Sequence, residues 1–366
     1  MFKAYYLSTL VAFSLTTTLG AWGHKAPMHQ VNEPVDDHFP LHPKQAWALE
    51  ESLLVWKTYE DDTDYAVRRV LTTLPDSSQR AKQTIKHPTF DWNTGVRVKL
   101  TRYLPSNDPW DVNLIGTYFY DQAESDRSVN FILGSSSQDV LISTWDTTGA
   151  GFASKARAST KMNFFTIDLT AGRYYSLTRK INIHPFIGIR TALNYQDYKA
   201  SFINPSSNPS SENPRFKGEF DFWGVGPRIG TDIALRFGRH WSLLGTFGAS
   251  LFGGRYEIDQ TFTGASSLVQ NGATYHEKIT DKDTVLRSNI DASLGLGWEK
   301  WVRKKTVCIS PSFVFEVSEW FSMKRWVDSH FYTGSFSSGS DPVIYPHRRY
   351  SDLGLMGFNI NLKVDF

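Results

Sequence analysis

One cysteine, Cys308, stands in 366 residues. The chain therefore has no internal disulfide available, and outside the cytoplasm it would have to be stable without one. The thiol itself reads as a small packing residue. A dominant charge sign is also missing: 39 Lys and Arg face 37 Asp and Glu, a net charge of +2. That balance gives no footing for a nucleic-acid partner. Long apolar runs are lacking too. Past the amino-terminal stretch, the longest uncharged candidate is Trp241 to Gly254, with 14 residues and four glycines. A membrane helix needs about 20 apolar residues, so a helical bundle is excluded. Gly-x-Ser-x-Gly is absent, and no nucleophile with a base and an orienter can be picked out, so no enzyme is expected. His24, His29, His38 and His42 lack tight ligand spacing on a fixed element. Neither a metal site nor a cofactor is expected from them.

The two ends of the chain carry signals. Met1 to Gly23 has one early cation, Lys3, then an uncharged apolar run through Leu7, Leu10, Val11, Phe13, Leu15 and Leu19, then Gly20, Ala21 and Gly23. This is the layout of a secretory signal peptide, residues 1–23. Residues 24–45 are polar and proline-containing, and read as a flexible periplasmic lead-in. At the other end, Phe358, Ile360, Leu362, Val364 and Phe366 alternate with Asn359, Asn361, Lys363 and Asp365. A period of two puts the first set on one face of a strand. An alternating strand that closes on a terminal Phe resembles the assembly signal of bacterial outer-membrane β-barrels.

Between these ends, residues 46–366 read as all-β. With no membrane helix, a membrane protein must be a closed barrel, since only closure satisfies every backbone group in lipid. Ten strands are expected: Ala46–Lys57, Phe90–Tyr103, Trp110–Tyr120, Asn163–Leu177, Ile181–Phe202, Glu219–Phe237, Trp241–Phe262, Thr284–Trp301, Thr306–Phe321 and Tyr350–Phe366. Eight or twelve are the neighbouring even counts, because residues 46–74 divide in more than one way. Short connections such as Thr178-Arg179-Lys180, Gly238-Arg239-His240 and Arg303-Lys304-Lys305 alternate with long ones. Short periplasmic turns and long outer loops are the pattern of outer-membrane barrels, and place both termini in the periplasm.

Alternation also assigns faces. Arg97, Lys99, Asp168, Arg190, Arg228, Asp232, Arg236, Asp291, Glu299 and Glu316 fall opposite the apolar residues of their strands. A charge on the lipid face at mid-bilayer costs about 2–4 kcal/mol, so these ten are expected to line the lumen. Arg228 and Asp232 share a face roughly 13 Å apart along one strand, too far to neutralise each other. Trp110, Phe237, Trp241 and Trp298 lie near the short turns and suit a periplasmic aromatic belt.

The blocks Leu54-Val55-Trp56-Lys57 with Asp64-Tyr65-Ala66, Phe90-Asp91-Trp92 with Gly95 to Arg97, Trp110-Asp111 with Tyr118, Asp168 to Arg173, Pro185-Phe186-Ile187-Gly188 and Gly224 to Ile229 resemble a known family. It is the pore-forming major-outer-membrane-protein-like family of legionellae and chlamydia-related bacteria, over about residues 50 to 366. Arg102 departs from the pattern, which has an aromatic before the periplasmic turn. The resemblance implies an outer-membrane porin passing small hydrophilic solutes and ions, with no catalytic site. Outer-membrane lipids, the barrel assembly machinery and small solutes are the partners expected. Two readings stay open: a diffusion pore, and a structural or adhesive barrel whose lumen is largely filled by side chains. Lumen width decides between them.

Overall fold

The structure is a computed structural model. It describes residues 46–76, 78–104, 109–130, 137–144, 152–203, 213–265, 274–302, 307–331 and 344–366. The expected signal peptide and lead-in, and the turn residues 105–108 and 303–305, lie outside the described residues. The strands, in chain order, are β1 (Trp47–Glu60), β2 (Ala66–Thr73), β3 (Gln79–Lys86), β4 (Trp92–Tyr103), β5 (Trp110–Ser128), β6 (Ser137–Ser143), β7 (Phe152–Ala153), β8 (Lys155–Arg173), β9 (Tyr175–Ser176), β10 (Ile181–Ile203), β11 (Arg215–Arg236), β12 (Trp241–Ala265), β13 (Thr274–Trp298), β14 (Lys300–Val302), β15 (Val307–Phe331) and β16 (Ile344–Asp365).

Ten of them form the closed antiparallel barrel that the sequence calls for, in the order β1-β4-β5-β8-β10-β11-β12-β13-β15-β16 and back to β1. The last strand makes the seam: Leu53 faces Ile360 across it and Val96 on its other side. At the rim, Phe366 N–H donates to Trp47 C=O at 2.9 Å, and Trp47 N–H returns a bond to Phe366 C=O at 3.1 Å. Both ends of the described chain therefore meet at the short-turn end. The short β9 and β14 prolong the wall there.

The strands run further than alternation suggested. The β12 strand has 25 residues, roughly 80 Å of chain at about 3.3 Å per residue. The apolar band of an outer-membrane barrel is only about 25 Å tall. Two of the long connections between the expected strands are largely strand. The connection between β1 and β4 forms β2 and β3, and β6 comes from the connection after β5; with β7 they make a separate four-stranded sheet in the order β3-β2-β6-β7.

Along each long strand the sidedness inverts, as β12 shows. Its outward residues begin with Trp241, Phe247 and Leu251, all exposed, and continue as Arg255, Glu257 and Asp259, which take part in outward-facing ion pairs. Its inward residues begin with Ser242, Thr246 and Ser250 and continue as Phe252, Tyr256 and Ile258, all three buried to within 1%. The lower section is a membrane barrel, apolar outside and polar inside. The upper section is built like a water-soluble barrel, with its oily face inside. Its core joins Phe164, Tyr198, Phe220, Phe222, Phe252, Trp320 and Trp326, and Tyr65, Ala66 and Leu141 of the outer-sheet region pack into the same cluster.

Candidate functional site: the barrel interior

From the short-turn end upward, the interior is a stack of polar layers. At the rim, Tyr103 Oη donates to Asp365 at 2.7 Å and accepts from Lys363 Nζ at 3.0 Å. Above them His184 bridges two carboxylates, Nε2 to Asp111 and Nδ1 to Asp232, each at 3.0 Å, and its ring stacks on Tyr174 with centroids 4.0 Å apart. Gly172 makes this layer fit: a Cβ there would lie 2.2 Å from His184 Nε2. Lys99 is close enough to interact with Asp111 and Asp232. Arg236 pairs with Glu299 at the same end. Lys99, Asp232, Arg236 and Glu299 remain partly exposed, so the lower lumen admits water.

The next layer shuts it. Arg190 grips its cross-strand partner Asp168 with two bonds, Nε–Oδ1 2.7 Å and Nη2–Oδ2 2.6 Å. Its remaining amino group reaches Asn289 at 2.7 Å and Asp291 at 2.9 Å, on β13. Arg228 holds Asp291 with two bonds of 2.7 Å and lies 3.6 Å from Asp168. Gly248 leaves the room: a Cβ there would stand 2.6 Å from Asp291 Oδ2. On the other side, Arg97 of β4 forks onto Glu316 of β15 at 2.7 and 2.9 Å, and Asn359 ties Glu316 to Trp56. Asp168, Arg190, Arg228, Asp291 and Glu316 are all under 9% exposed. Side chains lining an open water channel would be reachable by water; at this level the barrel is closed except beside Arg97, a quarter of whose side chain is exposed.

All ten residues assigned to the lumen lie on the inward-facing side, nearly all of them in ion pairs. Arg228 and Asp232 do not pair with each other, yet each is taken elsewhere, Arg228 by Asp291 and Asp232 by His184. The assembly residues Phe358, Ile360, Leu362 and Phe366 point outward and are exposed, and Val364 is half-buried among them. Trp110, Phe237 and Trp241 are exposed at the short-turn end, with Trp298 half-buried beside them. Arg102, where an aromatic was expected, lays its guanidinium 4.7 Å over the Trp47 ring.

Sequence reasoning missed the upper closure. Above Trp320 the β15–β16 register shifts, so that Lys324 faces Ser351, and Ser322 adopts φ 53° with its N–H on Asp352 Oδ1 at 2.6 Å. Pairing of β15 with β13 stops at Ser288↔Phe321. Beyond it β15 lies over the inner face of the wall. Arg325 N–H donates to Tyr256 Oη at 2.9 Å and Val327 N–H to Gln260 Oε1 at 3.2 Å, both inward side chains of β12. Trp326 packs on Phe220 and Tyr198, with centroids 4.0 and 5.1 Å away. Lys324 Nζ sits 4.3 Å above the Trp326 ring and 3.2 Å from Glu60, with both ends of that ion pair at 0% exposure. Residues 323–327 are buried on both faces, so no two-residue alternation marks them in the sequence.

No curated protein matches the chain. Among solved structures, the Escherichia coli outer membrane protease OmpT is similar at 11% identity and TM-score 0.42, over 88% of this chain and 97% of that one. OprG of Pseudomonas aeruginosa follows at 13% and 0.27, over 69% and 96%. A major outer membrane protein of Thermus thermophilus is similar at 14% and 0.24, over 63% and 97%. At these scores the likeness carries no argument about activity. The family model described as the Legionella pneumophila major outer membrane protein precursor matches residues 40–366, and the chain belongs to that outer-membrane family.

Proposed function

We propose that this protein passes small hydrophilic solutes and ions across the outer membrane through a lumen that opens intermittently. It does not hold a standing water-filled channel. The observation that supports this is the charged lower lumen. Burying ion pairs is no cheaper than filling the same space with apolar side chains, and often dearer by about 1–4 kcal/mol. The upper half of this same lumen is filled with aromatic rings. The lower half keeps the buried Asp168, Arg190, Arg228, Asp291 and Glu316 instead, with Arg97 paired to Glu316. A layer of that kind suits a path along which water and ions move. The role calls for no bond-breaking chemistry.

A second reading, the filled structural or adhesive barrel, is favoured by the aromatic core above the charged layer. Planar-bilayer recording of the purified full chain separates the two. The pore reading expects brief openings. Lys99→Ala should shift the reversal potential in a salt gradient toward cations and Asp232→Ala toward anions, because both partly exposed residues face the water of the lower lumen. The shifts should be largest at low salt, where screening is weak. A folded protein that gives no current, in the wild type and in a Phe252→Ala variant thinned at the core, would establish the filled-barrel reading.

A further inference from the structure

The unusual element is the part of the β15–β16 hairpin above Trp320. It has left the wall, and its departure leaves an edge behind. β13 continues to Thr274 and pairs with β12 over its whole length, Ala265↔Thr274 to Trp241↔Trp298. On its other side it pairs with β15 only from Ser288 downward. Among the described residues, no strand covers the edge from Thr274 to Arg287. An open edge is a template for another strand.

Meanwhile the two hairpin amides that could have bonded to that edge are held by side chains, Arg325 N–H by Tyr256 and Val327 N–H by Gln260. Salt bridges span the gap: Arg325 reaches Asp281 at 2.7 Å and Asp283 at 2.9 Å, and Arg348 reaches Asp281 at 3.4 Å. A hinge sits below the seated hairpin, at the irregular Phe321–Met323 stretch with Ser322 at positive φ.

We infer that this hairpin is a hinged plug of the outer mouth, which swings out of the barrel and zips onto the free edge of β13. In the seated state Trp326 and Lys324 fill the space between β10, β11 and Glu60. In the zipped state that space is vacated, and the backbone groups of both strands pair with each other rather than with side chains. The hairpin backbone thus has partners in either position, which is what a two-position element requires. As the gate of a pore, this inference rests on the functional reading above; as a movement of the hairpin, it does not.

The test weakens the seated state without touching the hairpin. Tyr256→Phe with Gln260→Met removes both acceptors and nearly keeps the volumes. Opening is read with Met323→Cys in a Cys308→Ser background, since Met323 is 1% exposed when seated. The full-length protein in liposomes should react with a thiol reagent at least tenfold faster in the double variant. Hydrogen exchange should slow at the β13 amides between Thr274 and Arg287 that face away from β12. In bilayers, openings should be more frequent at unchanged unit conductance. An unchanged thiol rate, or β13 amides that exchange faster along with the rest of the upper barrel, overturns the swing. If thiol rate and protection change as expected but neither protein carries current, the swing stands and the pore reading falls.

Discussion

Single residues on the outer wall show where the fold bears a cost. Asp221 faces outward just above the apolar band, directly opposite Glu257, and Glu219 faces both Asp197 and Asp259. Like charges set opposite each other across strands are destabilising. Partial desolvation, then the carboxylates of Glu219, Asp197 and Glu257, push the Asp221 carboxyl up to about 6. Its folded-state pKa lies above its unfolded one, so folding disfavours the ionised form. The protonated group is tolerated at low pH, and stability is lost as pH rises through about 6. Asp221→Asn should therefore raise the thermal midpoint at pH 8 and leave it unchanged at pH 3, below the ordinary aspartate value of 3.8. The side chain is exposed and its field screened, so the gain should be small, about 1–3 °C. Equal gains at both pH values would show that packing, not charge, is at work. The flanking pairs Lys278–Asp259 and Lys282–Glu257 keep the rest of this patch in balance.

At the scale of elements, the last strand tests whether its terminal ring acts in recognition or in stability. The backbone bonds between Phe366 and Trp47 do not depend on the side chain. A charge at this level, near the membrane interface, costs only about 0–1 kcal/mol. Phe366→Asp should therefore leave refolding of purified protein in detergent nearly unaffected, while the heat-modifiable folded fraction in outer membranes falls several-fold and export continues. Equal losses in both settings would make the residue structural; no loss in membranes would reject the assembly signal. Strands like this one were legible because one face meets lipid and the other water, and the period-two pattern records that contrast. The upper parts of β10 to β13 were harder, since there the oily set changes face: in β12, Leu251 is the last outward apolar residue before the charged run and Phe252 the first buried aromatic. The seated hairpin was not legible at all. Side chains such as Lys324, Arg325 and Trp326 are buried on either face, and a charged residue with a buried partner looks in sequence like a loop residue. The charged layer was legible as a set of inward positions. Its pairings were not, because partners such as Arg97 and Glu316 meet only through closure of the ring.

For the whole molecule, the inversion of sidedness fixes which section sits in lipid, and the lysines report on which end faces outward. The section with charged outer walls needs water on its outside; the section with Leu53, Ile187, Leu294 and Ile360 exposed needs lipid. Lys217, Lys278 and Lys282 stand on the upper wall with half or more of their side chains exposed. Lys180 and Lys300 are exposed at the opposite rim, beside the short turns. Lys324 is at 0% exposure inside the mouth. A membrane-impermeant amine reagent applied to intact cells should modify Lys217, Lys278 and Lys282, and reach Lys180 and Lys300 only after the outer membrane is breached. Modification of Lys180 and Lys300 on intact cells, with the upper wall spared, would invert the topology. Lys324 adds a separate reading in the same experiment. It lies on the outward-facing side of the barrel yet should react slowly both before and after breaching, because access depends on the hairpin leaving its seat and not on the membrane. Reaction at the rate of Lys278 would mean that the hairpin spends most of its time unseated, and that the closed mouth is the minor state in cells.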